Sequence, residues 1–532
     1  MDNRAAHSIN NIVIVGGGSA GWITAGLLAS TYPAAAEGGI SVTLIESPDV
    51  STIGVGEGTW PTMRATLRRI GLSESEFLRS CSASFKQGTR FRSWVSGADD
   101  DVYYHPFSVP AGYPGSNLVP LWQAHRDQVS FANAVGSQAR VCDRQLAPRQ
   151  ASTPEYAHVL NYGYHLDAGK FAELLKQHCT EKLKVRYLRD HVTGINGTPD
   201  EDIGSLATAN SGEISGDLFI DCTGQAALLI GRHYGIDTIS QNHILFNDRA
   251  LAAQVPYAEA TSPIESQTNA TAQEAGWIWD IGLSSRRGIG YVYSSRHSSD
   301  ESALAILRQY LDRHTALDPN TIEPRKIEFQ SGYRDRFWHR NCVAVGMSAG
   351  FIEPLEASAL VMIELAAGMI ADELPATRSV MDIQAQRFNE LFRYRWERII
   401  DFLKLHYVLS RRSDSAYWID NRHSDSIPAR LQQLIELWRH QVPSARDFPQ
   451  IDEIFSAASY QYVLYGMGFE TQTRQRTAHD AEREKALGLF KDVERHSRHL
   501  LQQLPDNREL LSRITSGLTP DSRFGTAAAG GH

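Results

Sequence analysis

The chain has 532 residues, 42% hydrophobic and 21% charged, with a formal net charge of -9; it is long enough to bury a cofactor in one large composite domain or two interlocked ones, and it does not read as a mainly disordered chain. The negative balance, without any dense Lys/Arg run, argues against nucleic acid and membrane partners. No stretch forms a clean twenty-residue apolar span or a leader peptide, so a cytoplasmic protein is expected. Five cysteines, Cys81, Cys142, Cys179, Cys222 and Cys342, stand singly, which predicts reduced thiols with neither a disulfide framework nor a metal site.

In chain order, Asn11–Val15 is a short apolar strand that runs into Gly16-Gly17-Gly18-Ser19-Ala20-Gly21, and Trp22–Ser30 reads as a helix. A second strand, Ser41–Ile45, ends at Glu46. From Ala83 to Tyr164 aromatics, Gly and Pro mix with short periodicities, as expected for strands and loops packed beside the first unit. Leu218–Asp221 followed by Cys222-Thr223-Gly224, and Cys342–Val345 leading to Gly346, read as further buried strands ending in turns, so that one unit is assembled from separated segments. After Pro375 the pattern turns helical, and Met381–Leu409 places Ile383, Phe388, Leu391, Phe392, Ile399, Phe402 and Leu403 near one face. The division expected is residues 1–376, a nucleotide-binding module with substrate-facing insertions; residues 377–516, a helical substrate-facing module; and residues 517–532, a frayed tail.

The glycines at 16, 18 and 21 let backbone approach a pyrophosphate, whose charge is favoured by the free N–H groups of Ser19 and Ala20 at the helix start. Glu46, about twenty residues on, is spaced to meet a ribose hydroxyl. The second strand-and-glycine turn, Phe219-Ile220-Asp221-Cys222-Thr223-Gly224, favours a deeply held FAD over a nicotinamide cofactor. Further on, Pro354 precedes an apolar helical run, and the unpaired N–H groups around Ser358 and Ala359 offer a pocket for a halide or a carboxylate.

GGGSAGW at 16–22, VGEGT at 55–59, Phe85-Lys86, YHPF at 104–107, Trp277-Ile278-Trp279, GFIEPLEAS at 350–358 and DFLKLHY at 401–407 together resemble the tryptophan-halogenase family of flavin-dependent enzymes, over about residues 11 to 470. The resemblance implies an α/β fold of the FAD-binding, GxGxxG flavin-monooxygenase type, Rossmann-like, with an added β-sheet and a mainly helical C-terminal module. It implies FAD used as FADH2, and chloride or bromide as co-substrate, oxidised to hypohalous acid that crosses an internal tunnel to an electron-rich arene. Lys86 then matches the family's lysine, which polarises hypohalous acid or carries the halogen as a haloamine. Glu356 matches the glutamate that assists activation or takes the arene proton. Ser358 and Ala359 fall at the halide-binding amides. Gly56, Glu57, Val192, Met347 and Leu360 fall near the cofactor; His105, Phe107 and Tyr460 fall at the substrate; Trp277 and Trp279 fall beside the flavin, where they discourage direct oxygenation.

The chain departs from the family's pattern in places. Gly282 stands where the tryptophan motif closes with proline, which implies a freer backbone there; Ala357 and Ala359 replace serine and glycine. The tyrosines of Ser459–Met467 have no acid beside them to clamp an amino-acid head group, which points to an indole other than free tryptophan. A separate NAD(P)H-dependent flavin reductase is expected, because no second nucleotide motif is evident. Two other readings remain: an FAD-dependent aromatic monooxygenase, which has no need of Lys86 and Glu356, and a flavin-binding protein without halogenating activity.

Overall fold

The computed structural model describes residues 8–50, 56–472 and 480–517. Its nucleotide-type sheet has six strands, in the spatial order Trp338–His339, Cys342–Ala344, Leu218–Asp221, Asn11–Val15, Ser41–Glu46 and Arg186–Arg189. All pair in parallel except the Trp338–His339 edge. The runs at 11–15, 41–46 and 218–221 are buried at nearly every residue, as a parallel sheet covered on both faces requires. Segments two and three hundred residues apart thus meet in one sheet. The first helix, Ser19–Thr31, begins three residues earlier than its apolar pattern suggests, because the glycine motif supplies its first turn; it packs against Ala168–Glu181 and Ser358–Asp372.

A second sheet of seven strands runs Arg325–Glu328, Arg249–Pro256, Arg286–Tyr293, Gly276–Gly282, Thr268–Gln273, Gly88–Arg92 and Val102–Pro106. It is antiparallel apart from the pairing of Thr268–Gln273 with Gly88–Arg92. A small sheet joins the two: Gly163–Asp167 lies between Gly56–Gly58 and Ser84–Lys86. Lys86 therefore ends a strand of the small sheet two residues before Gly88 opens one in the large sheet. Gly88 has φ +143°, and a Cβ there would lie 2.5 Å from the His105 carbonyl oxygen. That close approach sets Lys86 beside His105 and Phe107.

Every named element after Thr377 among the described residues is a helix. Arg378–Val408 spans 31 residues, and from Arg398 to Tyr407 it is buried at every position. The single apolar face read from the sequence holds for Phe388, Phe392, Ile399, Phe402 and Leu403, but Ile383 is 62% exposed. The first turns of this helix lie on the surface, whereas its last three are enclosed on all sides. These helices share one continuous core with the six-stranded sheet, from Ile12 to Leu511. All five cysteines are buried free thiols. Among the described residues no helix is long and apolar enough to cross a membrane, and no grouping of His, Cys, Asp and Glu is suited to a metal ion. The tail expected to fray lies, from residue 518, outside the described residues, as does Val55 of the VGEGT motif.

Candidate active site

The turn between the first strand and first helix is built from backbone. Gly16 has φ +117°, and a Cβ on it would sit 2.1 Å from the Cys222 carbonyl oxygen; a Cβ on Gly21 would sit 1.9 Å from the oxygen of Gly16. Both positions exclude any side chain. Gly18 differs, because nothing lies within 4 Å of a Cβ placed there. It leaves an open approach to the N–H groups of Ser19 and Ala20, which have no acceptor within their own helix. Glu46 borders this cradle: its carboxyl carbon would be 2.3 Å from a Cβ on Gly17, and its Oε2 accepts from Tyr187 Oη at 2.7 Å. Val192 opens a strand just past Arg189, the partner of Glu46 in the sheet. The residues present fit a dinucleotide: an open glycine at a helix start, with an acid at the end of the neighbouring strand.

Asp221, at the end of the other conspicuous strand, serves a structural purpose. Its carboxylate accepts from the backbone N–H groups of Thr223, Leu229 and Ile230 and from the Thr223 hydroxyl, folding the Thr223–His233 turn onto the sheet.

The segment GFIEPLEAS does not start its helix at the proline. A short turn, Leu355–Ala357, comes first, with two successive left-handed residues, Glu356 at φ 64° and Ala357 at φ 55°. Such conformations cost on the order of 1–3 kcal/mol for a residue other than glycine. The helix proper runs Ser358–Asp372. Ser358 is buried and Ala359 exposed at its head, where they line a cleft with Met347, Glu353 and Pro354. Leu360 is buried one position further on. The reversal at 356–357 turns the Glu356 carboxylate inward, toward histidines, instead of along the helix.

Two imidazoles face one oxygen of that carboxylate. His105 Nδ1 is 2.8 Å from Glu356 Oε1, and His406 Nε2 is 3.4 Å from the same atom. Burial alone would raise the Glu356 pKa, but the His105 and His406 rings hold it well below the usual carboxylate range. Trp60 Nε1 donates to the Glu356 carbonyl oxygen at 2.7 Å. Lys86 is 1% exposed, and burial lowers its pKa to about 8, with Glu356 opposing the shift. Its Nζ lies 5.4 Å from the centre of the Phe107 ring. It fits into a gap left by Gly58, whose Cβ, if present, would be 3.0 Å from Nζ and 3.3 Å from the Ala357 methyl. Lys86, His105, Phe107 and Glu356 thus converge on one chamber. Gly56 and Glu57 lie on the strand that ends at Gly58; Gly56 packs against Ile281, and burial pushes the Glu57 carboxyl up to about 7.

The chamber wall is aromatic and includes residues that the sequence did not single out. His105 lies 5.5 Å from Phe402 and 6.3 Å from both Phe455 and Tyr462, and Phe455 meets the ring of Trp60 at 4.8 Å. Tyr460 is fully buried among Phe402, Trp438 and Phe448. It reaches His105 only through the Phe402 ring, so it supports the wall rather than forming its first surface. Phe402 and His406 both belong to the DFLKLHY segment, whose spacing of four residues puts them on one face of the helix. That pattern was the available signal for them.

Trp277 and Trp279 alternate on the Gly276–Gly282 strand and share a face, with ring centroids 6.5 Å apart. Trp277 is 2% exposed, and its Nε1 donates to Glu353 Oε2 at 2.8 Å; that oxygen also accepts from Tyr407 Oη and Asn247 Nδ2, both at 2.7 Å. The Trp279 ring lies over Gly290, where a Cβ would clash at 2.1 Å. Gly282 corrects the expectation of a freer backbone. It pairs with Arg287 in the sheet, its carbonyl accepts from the Ser84 hydroxyl, and a Cβ on it would lie 2.9 Å from the Tyr257 hydroxyl. A lack of space, not mobility, accounts for the glycine.

A glycine cradle on a parallel sheet, joined by a small sheet to a buried Lys86/Glu356 pair, suits an enzyme that brings a dinucleotide cofactor to a separate, enclosed site. The tryptophan halogenase family model matches residues 11–483, and the chain belongs to that family. It is 31% identical to tryptophan 6-halogenase SttH of Streptomyces toxytricini, over 95% of this chain and 98% of that protein. The crystal structure of a tryptophan halogenase from Shewanella frigidimarina superposes with a TM-score of 0.93 at 50% identity, covering 97% of this chain and 99% of the other. BrvH, a flavin-dependent halogenase from Brevundimonas sp. BAL3, superposes with a TM-score of 0.83 at 30% identity, over 95% and 99% of the two chains.

Proposed function

We propose that the chain binds FAD and halogenates an indole-type arene at the chamber between Lys86 and Glu356. The observation that carries this reading is the convergence of a desolvated amine and an anchored carboxylate in one aromatic chamber. Gly16, Gly18, Ser19, Ala20 and Gly21 would hold the FAD pyrophosphate and Glu46 its ribose, Met347 and Leu360 would line the cofactor, and the amides of Ser358 and Ala359 would hold chloride or bromide. Bound as FADH2, the cofactor supplies with dioxygen the two-electron oxidation of halide to hypohalous acid. A separate flavin reductase provides the reduced cofactor.

The protein's own groups carry the transfer. Lys86, as its ammonium, donates a hydrogen bond to the oxygen of hypohalous acid and makes the halogen electrophilic. The arene, held between His105 and Phe107, attacks the halogen; the carbon–halogen bond forms as the oxygen–halogen bond breaks. The departing hydroxide takes a proton from Lys86 and leaves as water. Glu356 removes the proton from the halogenated carbon, the electron pair of that bond restores aromaticity, and transfer of the proton to Lys86 resets the pair.

The helix Ala457–Gly466 carries no acid, which supports a simple indole over free tryptophan. The test is an assay with FAD, a flavin reductase, NADH and bromide or chloride on a panel of indoles that includes tryptophan, read by mass spectrometry. The expected result is a halide-dependent halogenated indole, formed faster from simple indoles than from tryptophan. A hydroxylated product independent of halide would replace this reading with an aromatic monooxygenase.

A further inference from the structure

His406 has no role in the scheme above, yet it is placed to shape it. The residue is completely buried in a box formed by Phe91, Trp94, Tyr103 and Phe402. Its Nδ1 lies 2.7 Å from the Tyr103 hydroxyl, and its Nε2 lies 3.4 Å from Glu356 Oε1 without forming a regular hydrogen bond. The titratable groups around this pair come from four elements: Tyr103 and His105 from Val102–Pro106, Lys86 from Ser84–Lys86, Glu356 from the 355–357 turn, and His406 itself from the long helix. Asp101 also acts on Tyr103 electrostatically.

These contacts fix the proton on the imidazole. Burial lowers the His406 pKa, so the ring is neutral and carries one N–H. Burial likewise holds the Tyr103 phenol in its protonated form. The Tyr103 hydroxyl can donate or accept at Nδ1, but an unprotonated Nε2 would turn its lone pair toward the Glu356 carboxylate, so the hydrogen resides on Nε2 and Nδ1 accepts from the phenol. That N–H faces the carboxylate oxygen already bound by His105. No hydrogen-bond donor among the described residues reaches the other oxygen, Oε2.

We infer that His406, locked in its Nε2–H tautomer by Tyr103, is a positioning residue that anchors Oε1 of Glu356 and leaves Oε2 as the oxygen that takes the arene proton. The inference rests on the halogenase reading and deepens it. His105 bonds Oε1 directly, and the His406 N–H, at 3.4 Å, adds a longer electrostatic contact to the same oxygen that holds the carboxylate plane and favours its ionised form; His105 alone would leave the carboxylate free to rotate about that single contact. The left-handed pair at 356–357 supplies the backbone turn that makes this double anchorage possible.

The test uses three variants of the full chain. In His406→Phe the aromatic volume stays and the donor is lost; His406→Gln restores a donor near the Nε2 position; Tyr103→Phe removes the group that sets the tautomer. His406→Phe is expected to lower kcat for halogenation by about 10- to 100-fold with KM for the arene within about twofold. Without the N–H, Glu356 holds its proton more tightly, so the acidic limb of the kcat profile moves to higher pH. His406→Gln recovers most of the rate and returns the limb, and Tyr103→Phe shifts it the same way by less. In the flavin-free wild-type protein, 15N-histidine NMR assigned by difference with His406→Gln reads the ring as neutral Nε2–H at pH 7.

An unmoved acidic limb in His406→Phe, or no recovery with glutamine, overturns the inference while wild-type halogenation stands. An Nδ1–H or doubly protonated ring in the NMR overturns it without reference to activity. Absence of halogenated product from the wild type instead defeats the halogenase reading, and this inference with it.

Discussion

The cradle at Gly16–Gly21 and the chamber at Lys86 and Glu356 are built by opposite means. In the cradle the working groups are backbone, the residues are contiguous, and Gly16 and Gly21 are required because a Cβ on them would strike a carbonyl oxygen at 2.1 and 1.9 Å. In the chamber the working groups are titratable side chains from four separate elements, with the charges of Lys86 and Glu356 buried at a cost that only their mutual arrangement offsets. Burial lowers the Lys86 pKa to about 8, while Glu356 stays ionised beside two imidazoles. At Gly16 and Gly21 the first site tolerates almost no added volume; the second tolerates almost no change of charge. Substitutions should therefore damage them in distinguishable ways.

The largest effect is expected from Gly21→Ala. Its methyl would meet the Gly16 oxygen at 1.9 Å, so the purified protein should lose flavin altogether and unfold at lower temperature. Gly18→Ala sharpens the contrast: with nothing within 4 Å, its thermal stability without flavin should match the wild type, while FAD affinity, measured by fluorescence titration, falls about 10-fold. Equal damage to stability from both variants would contradict the open approach at Gly18.

Glu356→Gln keeps the shape of the chamber and removes its base. The expected loss in kcat is about 100-fold, with bound FAD unchanged, as single-turnover product formation would establish.

The Lys86 amine predicts opposite slopes for activity and stability. Because the ammonium form does the work, halogenation should fall as pH rises through about 8. The folded pKa lies below the unfolded value, so between about 8 and 10.4 the unfolded chain binds more protons, and the contribution of this residue to stability rises with pH. Lys86→Met should abolish that slope in pH-dependent denaturation and, at pH 7, gain on the order of 1–3 kcal/mol.

The smallest change is expected at Glu353. Burial raises the pKa of this carboxyl, and Glu353→Gln keeps both its shape and the acceptor oxygen that Trp277, Tyr407 and Asn247 share, so it should alter melting temperature and rate little. Glu353→Leu would strip the partner from Trp277, Tyr407 and Asn247 and should cost about 3 kcal/mol in urea denaturation.

The same contrast explains what could be read without coordinates. The strands at 11–15, 41–46, 218–221 and 342–344 announced themselves, because a buried parallel strand must be continuously apolar and a glycine turn cannot be replaced. Lys86 and Glu356 were found through resemblance, since a lysine ending a three-residue strand carries no local sign of burial. His406, Phe402, Phe455 and Trp60 went unassigned: their meeting depends on a helix of the last third of the chain docking onto strands of the first. Ile383 was misplaced for a related reason, because periodicity gives a helix an apolar face without saying where along its length the core begins. Gly282 was read as slack backbone, when the Tyr257 hydroxyl leaves no room for more.

The central claim is that a buried ammonium, rather than the flavin alone, directs the halogen to the arene. The direct measurement compares wild type with Lys86→Ala at equal bound FAD, with a flavin reductase, NADH, bromide and an indole, quantifying halogenated product by mass spectrometry and flavin turnover by oxygen consumption. The account predicts oxygen consumption within about twofold of wild type and a loss of brominated indole of at least about 1000-fold. Undiminished bromination in Lys86→Ala would contradict it.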